Sequence, residues 1–289
     1  MKKILLLLAL CGAMMTVSAQ KPRVIAHRGF HAVPGSARNT ISSLRNAQNL
    51  GVYGSEFDIN MTCDDSLVVV HGPWHHDKKD PQRVHVQNDD YKTVRSHSCE
   101  NGLIIPSLRE HLEQAAKDPE TRLIVEIKTH QTPERETQVT EGVVAMLKEF
   151  GLLEKSDFIS FSSFICDELV RLVPGSSIAY LTGDFDPDEC KRRGYTGIDY
   201  SMTALREHPE WIERCHEIGL TVNVWTVNTP EDIAYFIGRN VDFITTDNPL
   251  EAMKQLGMTP KNCGSCCEGH QHHPQGGHPG KAPHKKPKH

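Results

Sequence analysis

The chain has no surplus of positive charge: 32 Lys and Arg stand against 37 Asp and Glu, a formal net charge of −5. That excludes a nucleic-acid binder working through bulk positive potential, and no basic helix stands out in the body. Nor is there an apolar run of membrane-spanning length. The stretch Ile4 to Met15 falls short of the about 20 residues a bilayer helix needs. A disulfide framework is absent too. Cys63, Cys99, Cys166, Cys190 and Cys215 form an odd, scattered set in the body, which reads as small buried hydrophobes; spacing assigns no pairing. What is present is an ordinary globular composition, 38% hydrophobic and 24% charged over 289 residues, enough for one large domain or two small ones.

Both ends differ from the body. MKKILLLLALCGAMMTVSAQ reads as a secretory signal over residues 1–19: Lys2 and Lys3 supply the charged region and Val17-Ser18-Ala19 the small residues before a cut at Gln20. A lipoprotein cut before Cys11 is disfavoured by the bulky Leu10. The expectation is export to the periplasm or beyond. Residues 257–289 are rich in Gly, Pro, His and Lys and nearly free of apolar side chains, so they are expected to form a disordered tail. The domain proper is then residues 20–256.

Within it, apolar runs alternate with helical patterns. Strands are predicted at VIAHRG, SEFDINM, SLVVVHG, RLIVEIK, FISFSS, SIAYLTG, GIDYSM, TVNVWTV and FITTD. Helices are predicted over Thr40–Leu50, Leu108–Lys117, Glu134–Phe150, Asp167–Leu172, Pro209–Ile218 and Pro230–Gly238. This alternation is the mark of βα units, and nine strand candidates point to an α/β fold of the TIM type, a (β/α)8 barrel with one strand to spare. The spare strand is explained by TCDD between SEFDINM and SLVVVHG, which is too short for a parallel crossover. Those two runs should pair as an antiparallel hairpin that brings His71 back toward Glu56. About residues 73–106, polar and without a period, are expected to form an inserted subdomain over one barrel end.

Alternate strand residues share a face, so Glu56 and Asp58 point one way, as do Glu126 and Lys128. Charge on the inner face of two otherwise apolar strands is costly unless those faces line a pocket, and barrels of this kind place their sites at the strand ends. Three crowded carboxylates need a cation, and all-oxygen ligation selects a hard one, Ca²⁺ or Mg²⁺. His27 and His71 end neighbouring strands and can serve as a general acid and base. Arg28 and Lys128 add positive charge for an anionic substrate. Metal, acid–base pair and cationic clamp together describe attack on a phosphate ester. Gly29 is expected to let the chain turn away so that a ligand can approach the backbone.

In their order along the chain, VIAHRG, SEFDI, VVVHG, VEIK, VNVWTVN and ITTDNP resemble the glycerophosphodiester phosphodiesterases of the phospholipase C-like barrel group. The resemblance implies hydrolysis of a glycerophosphodiester to glycerol 3-phosphate and an alcohol. It implies that His27 and His71 are the acid–base pair, that Glu56, Asp58 and Glu126 hold one divalent ion, that Arg28 and Lys128 meet the phosphate, and that Trp225 packs on the glycerol or alcohol portion. The chain departs from the family twice. Ala37-Arg38-Asn39-Thr40 stands where Pro-Glu-Asn-Thr is usual, and His71-Gly72 stands where His-Asp is usual. Both changes make the pocket more cationic, so Arg38 is a candidate contact for a more anionic substrate; otherwise it caps the next helix or faces solvent. Related alternatives are action on lysophospholipids or a reaction that stops at a cyclic phosphate. From a different class, Cys263, Cys266, Cys267, His270, His272, His273 and His278 of the tail are able to bind Zn²⁺ or Cu⁺, incidentally or as a metal-handling function. The expected partner is a small molecule, with no nucleic acid and no stable membrane span; the oligomeric state is left open.

Overall fold

A computed structural model describes residues 21–76 and 83–261. The expected signal at 1–19 and all the tail cysteines and histidines lie outside the described residues.

Eight strands close a parallel barrel: β1 (Arg23–Ala26), β2 (Gly54–Met61), β6 (Arg122–Ile127), β7 (Ser156–Ser160), β8 (Ser177–Tyr180), β9 (Gly197–Ser201), β10 (Thr221–Trp225) and β11 (Phe243–Thr246). Closure comes from β1, which pairs with β11 through Val24–Ile244 and with β2 through Ile25–Gly54. The predicted hairpin is present: β3 (Leu67–Val69) runs antiparallel to β2, with Ile59 opposite Val69. That register sets His71 across from Phe57, one position from the expected Glu56. A second hairpin, β4 (Trp74–His76) with β5 (Arg83–His85), belongs to the insertion. The insertion has a small core of its own, in which Val84, Val86, Val94 and Ile105 pack on Val68 and Val70 of the β3 arm. Its described residues therefore pack beside the strand ends.

The helices are α1 (Ile41–Leu50), α2 (Tyr91–Val94), α3 (Leu108–Ala115), α4 (Pro133–Glu149), α5 (Ser163–Leu172), α6 (Pro187–Arg192), α7 (Met202–Glu207), α8 (Glu210–Glu217), α9 (Pro230–Gly238) and α10 (Pro249–Gln255). The predicted α5 began at Asp167. It starts four residues earlier because the Ser162 side chain accepts the Ile165 N–H and caps it. Helices α2, α6, α7 and α10 are seven residues or shorter and show no period to read. No described helix is long and apolar enough to cross a membrane. Past position 256, the Lys261 N–H donates to Leu50 O and the Met258 N–H to Met253 O, so the first residues of the expected tail lie against the barrel.

Strand alternation divides the interior in two. Phe57, Ile59, Leu123, Val125, Ile127 and Phe158 point outward into the core between barrel and helices. Inside, Ile25, Ile124, Ile159 and Leu181 form an apolar floor. Two residues further along those strands come His27, Glu126 and Phe161, so the polar layer stands directly on the floor. Cys99, Cys166, Cys190 and Cys215 are buried, as expected of small hydrophobes, but Cys63 is exposed, because it sits at the turn of the β2–β3 hairpin.

One buried polar group belongs to no site. His111 of α3 is 1% exposed and lies with its ring centroid 4.3 Å from that of Phe57, the planes tilted by 38°, with neither ring nitrogen hydrogen-bonded among the described residues. Burial pushes its imidazole down to about 3. Because the unfolded chain takes up that proton near pH 6.5 and the folded chain does not, stability is intact above 6.5. It then falls by up to about 1.4 kcal/mol per pH unit as pH drops toward 3. His111→Leu should flatten the acid side of a Tm-against-pH curve without lowering Tm at neutral pH. A wild-type slope retained in the variant would remove His111 as its source.

Candidate active site

The site is assembled at the turn after β1. Arg28 and Gly29 both take positive φ, 53° and 76°, and turn the chain sharply off the strand. A left-handed Arg costs on the order of 1 kcal/mol. It is held because its N–H donates to Glu56 Oε2 at 2.7 Å. Gly29 is required for a reason other than ligand approach: a Cβ there would lie 2.5 to 2.7 Å from Ser43 Oγ, C and Cβ, so helix α1 packs directly on the turn. Thr40 caps that helix, its Oγ1 accepting the Ser43 N–H while Ser43 Oγ accepts the Thr40 N–H.

Glu56, Asp58 and Glu126 are buried, and each offers an oxygen within 4.8 Å of the others. Lys128 Nζ donates to Glu126 Oε1 at 2.5 Å and to Asp58 Oδ1 at 3.2 Å. Asn39 Nδ2 donates to Asp58 Oδ2 at 2.7 Å, and Arg28 Nε lies 3.4 Å from the same oxygen. Burial would raise Asp58, but Lys128, His71, Arg28 and Asn39 outweigh it and carry the group down to about 2. Glu126 goes the other way, pushed up to about 8 by burial and the Asp58 charge. Glu56 is also raised well above its usual range by burial, Asp58 and Glu126. Its Oε1 has no partner among the described residues. An orphan carboxylate oxygen beside a second carboxyl whose charge is disfavoured fits a hard divalent cation, which would favour the ionised form of both.

The two imidazoles differ in support. His27 Nδ1 donates to Asp247 Oδ1 at 2.8 Å, which fixes the tautomer and leaves Nε2 for exchange with a ligand. The same oxygen takes His31 Nε2 at 3.0 Å, while Asp247 Oδ2 accepts from Asn228 at 2.9 Å. Burial opposes ionisation of Asp247, but the His27 and His31 hydrogen bonds hold its carboxyl far below the usual range. His71 stands at the open rim. Desolvation by packed protein, opposed by Asp58 and helped by Lys128, Arg28 and His27, holds its imidazole down to about 4, hence neutral at physiological pH.

A cavity of about 210 Å³ joins these parts: His27, Arg28, Glu56, His71 and Glu126 meet Phe161, Leu181, Asp199, Trp225 and Thr245 in its walls. Trp225 meets Phe161 edge-on at 5.6 Å and donates its indole N–H to the Asp199 carbonyl. Lys128 is tied to the carboxylates at the edge of this space. Arg38 is not in it. It lines an adjoining recess of about 230 Å³ with Trp74, His75 and Glu100, reached past Arg28 and His71. There its guanidinium pairs with Glu100 at 3.2 Å, so the expected gain in positive charge is matched by an acid from the insertion. The other departure, Gly72, packs closely, because a Cβ would meet Trp74 O at 3.2 Å.

The sequence profile of the glycerophosphoryl diester phosphodiesterase family matches residues 27–251. This chain belongs to that family. A solved glycerophosphodiester phosphodiesterase from Parabacteroides distasonis is 42% identical with a TM-score of 0.78, the match covering 82% of this chain and 97% of the other. The glycerophosphodiester phosphodiesterase of Caldanaerobacter subterraneus is 27% identical across 79% of this chain and 95% of its own. An Oleispira antarctica phosphodiesterase solved with the product sn-glycerol-3-phosphate shares the fold at 18% identity and a TM-score of 0.69, over 82% of this chain and 97% of that one. The chain is thus a glycerophosphodiester phosphodiesterase by family and by barrel.

Several residues of this phosphodiesterase's site carry no role in the sequence reading, among them Asn39, His31, Asn228 and Asp247. The first lies in the departing Ala-Arg-Asn-Thr stretch and the last in the quoted ITTDNP, and only barrel closure brings Asp247 beside His27. Because Glu126 holds its proton up to about pH 8 in the free protein, cation binding at pH 7 must expel protons. Adding Ca²⁺ or Mg²⁺ to weakly buffered protein with a pH indicator should show acidification, diminished in Glu126→Gln. Binding with no proton release would contradict the raised Glu126 carboxyl.

Proposed function

We propose that this phosphodiesterase hydrolyses glycerophosphodiesters to glycerol 3-phosphate and an alcohol, with His27 and His71 as its acid–base pair. The observation that carries this reading is the shared cavity, in which two imidazoles, an arginine and two of the three clustered carboxylates, Glu56 and Glu126, converge. A divalent cation held by Glu56, Asp58 and Glu126 supplies neutralising charge to the phosphoryl oxygens when bound. Arg28 meets the same oxygens, and Lys128 keeps Asp58 and Glu126 in place beside them. Trp225 and Phe161 provide the apolar wall for the glycerol carbons.

His71, neutral before reaction, takes the proton from the glycerol hydroxyl next to the phosphate. The freed oxygen bonds to phosphorus as the bond to the alcohol breaks, and His27 Nε2 delivers a proton to the departing oxygen. A water then gives its proton to His27 and its oxygen to phosphorus. The cyclic ester opens, and His71 returns its proton to the glycerol hydroxyl. Asp247 orients His27 and stabilises its imidazolium in both halves. Export to the periplasm or beyond, expected from residues 1–19, is part of the same proposal.

His27→Ala should lower glycerol 3-phosphate release by about 10²–10⁴-fold. Asp247→Asn keeps the cavity's shape but frees the His27 ring, and should lower kcat with a smaller effect on KM. Near-normal turnover in His27→Ala removes it from the chemistry.

A further inference from the structure

Asp199 is a buried carboxylate in the wall of the active-site cavity that the proton transfers above do not use. It lies on β9, whose neighbouring residues Ile198 and Tyr200 pack outward in the main core, so the Asp199 side chain points into the barrel. In the closed ring β9 lies four strands from β2 in either direction, which sets Asp199 across the interior from Glu56 and Asp58. The residue is 2% exposed, and its Oδ1 has no hydrogen-bond partner among the described residues. Burial raises its carboxyl to about 7, and the Asn223 amide alone offsets part of that, with no nearby cation contributing.

The surrounding donors leave Asp199 Oδ1 unpaired among the described residues. Asn223 Nδ2 donates to Thr245 Oγ1 at 2.9 Å, and the Trp225 indole N–H is taken by the Asp199 backbone carbonyl at 2.9 Å. Ile159, Leu181 and Trp225 give this part of the wall its apolar surface, and Thr226 and Thr245 are its uncharged polar members. An unpaired carboxylate oxygen in such a place is destabilising, and that cost is removed when a donor arrives from the cavity. A phosphate does not fit there, since it brings negative charge toward a carboxylate. A hydroxyl does.

We propose that Asp199 accepts a hydrogen bond from the terminal hydroxyl of the glycerol unit, the one that does not attack phosphorus. This rests on the reading of the site as one that cleaves glycerophosphodiesters. With the phosphate held between Arg28, the imidazoles and the carboxylate cluster, the carbon chain runs along Trp225 and its far end reaches Asp199. The residue then selects glycerol diesters over diesters that carry only the attacking hydroxyl, because a site built to accept that hydroxyl is left with an unpaired buried oxygen when it is missing.

The test compares glycerophosphocholine with propane-1,2-diol 1-phosphocholine, which keeps the hydroxyl beside the phosphate and lacks the terminal one. For wild type the kcat/KM ratio should favour glycerophosphocholine by roughly 10- to 100-fold, the range for a hydrogen bond to a charged group. Asp199→Leu should bring the two substrates within a few-fold of each other, and Asp199→Asn, which keeps shape and a weaker acceptor, should fall between. A wild-type ratio near one overturns the proposal whether or not the variants fold. A ratio unchanged in folded Asp199→Asn and Asp199→Leu overturns it as well. Failure of wild type to cleave either diester is a different result and counts against the proposed function itself.

Discussion

Mutual repulsion among three buried carboxylates is the constraint on which the site depends. Glu56, Asp58 and Glu126 are buried within 4.8 Å of one another, and they do not all ionise unaided. Asp58 takes the local positive charge, with Lys128 on one oxygen and Asn39 and Arg28 on the other, and is the ionised member. Burial and the Asp58 charge hold the Glu56 and Glu126 carboxyls well above the usual carboxylate range. A site in that state is short of one divalent positive charge. That shortage orders the rest: the left-handed Arg28, the capped start of α1 and the short hairpin all serve to bring charged groups to one strand end.

The barrel makes this affordable. Its floor of Ile25, Ile124, Ile159 and Leu181 separates the polar layer from the strand starts, and the outward faces of the same strands build the main core. Stability and chemistry therefore occupy alternate residues of the same strands. The inserted segment has a separate small core and adds the recess where Glu100 meets Arg38.

Much of this was legible in the chain. The antiparallel hairpin followed from the four-residue TCDD link, and Glu56, Asp58, Glu126 and Lys128 announced themselves as charges on apolar strands. His27 and His71 stood at strand ends. Other residues were hidden for identifiable reasons. Asn39 reaches Asp58 only because its own φ is 58°, a backbone state that sequence does not print. Asp247 contacts His27 across 220 residues, a distance closed by the β1–β11 pairing. Gly29 looked like a ligand-facing turn and is instead a packing requirement of α1. Asp199 carried the same signal as Glu126, a charge inside an apolar strand, but alone rather than paired. Arg38 read as added positive charge because its partner, Glu100, comes from a segment without a period.

The most direct measurement is a panel of diesters assayed for glycerol 3-phosphate with and without complete removal of divalent ions. If the carboxylate cluster holds the ion that the chemistry needs, glycerophosphodiesters release glycerol 3-phosphate, chelation abolishes the release, and added Ca²⁺ or Mg²⁺ restores it. Activity that persists in the thoroughly metal-free protein would contradict the role assigned to Glu56, Asp58 and Glu126.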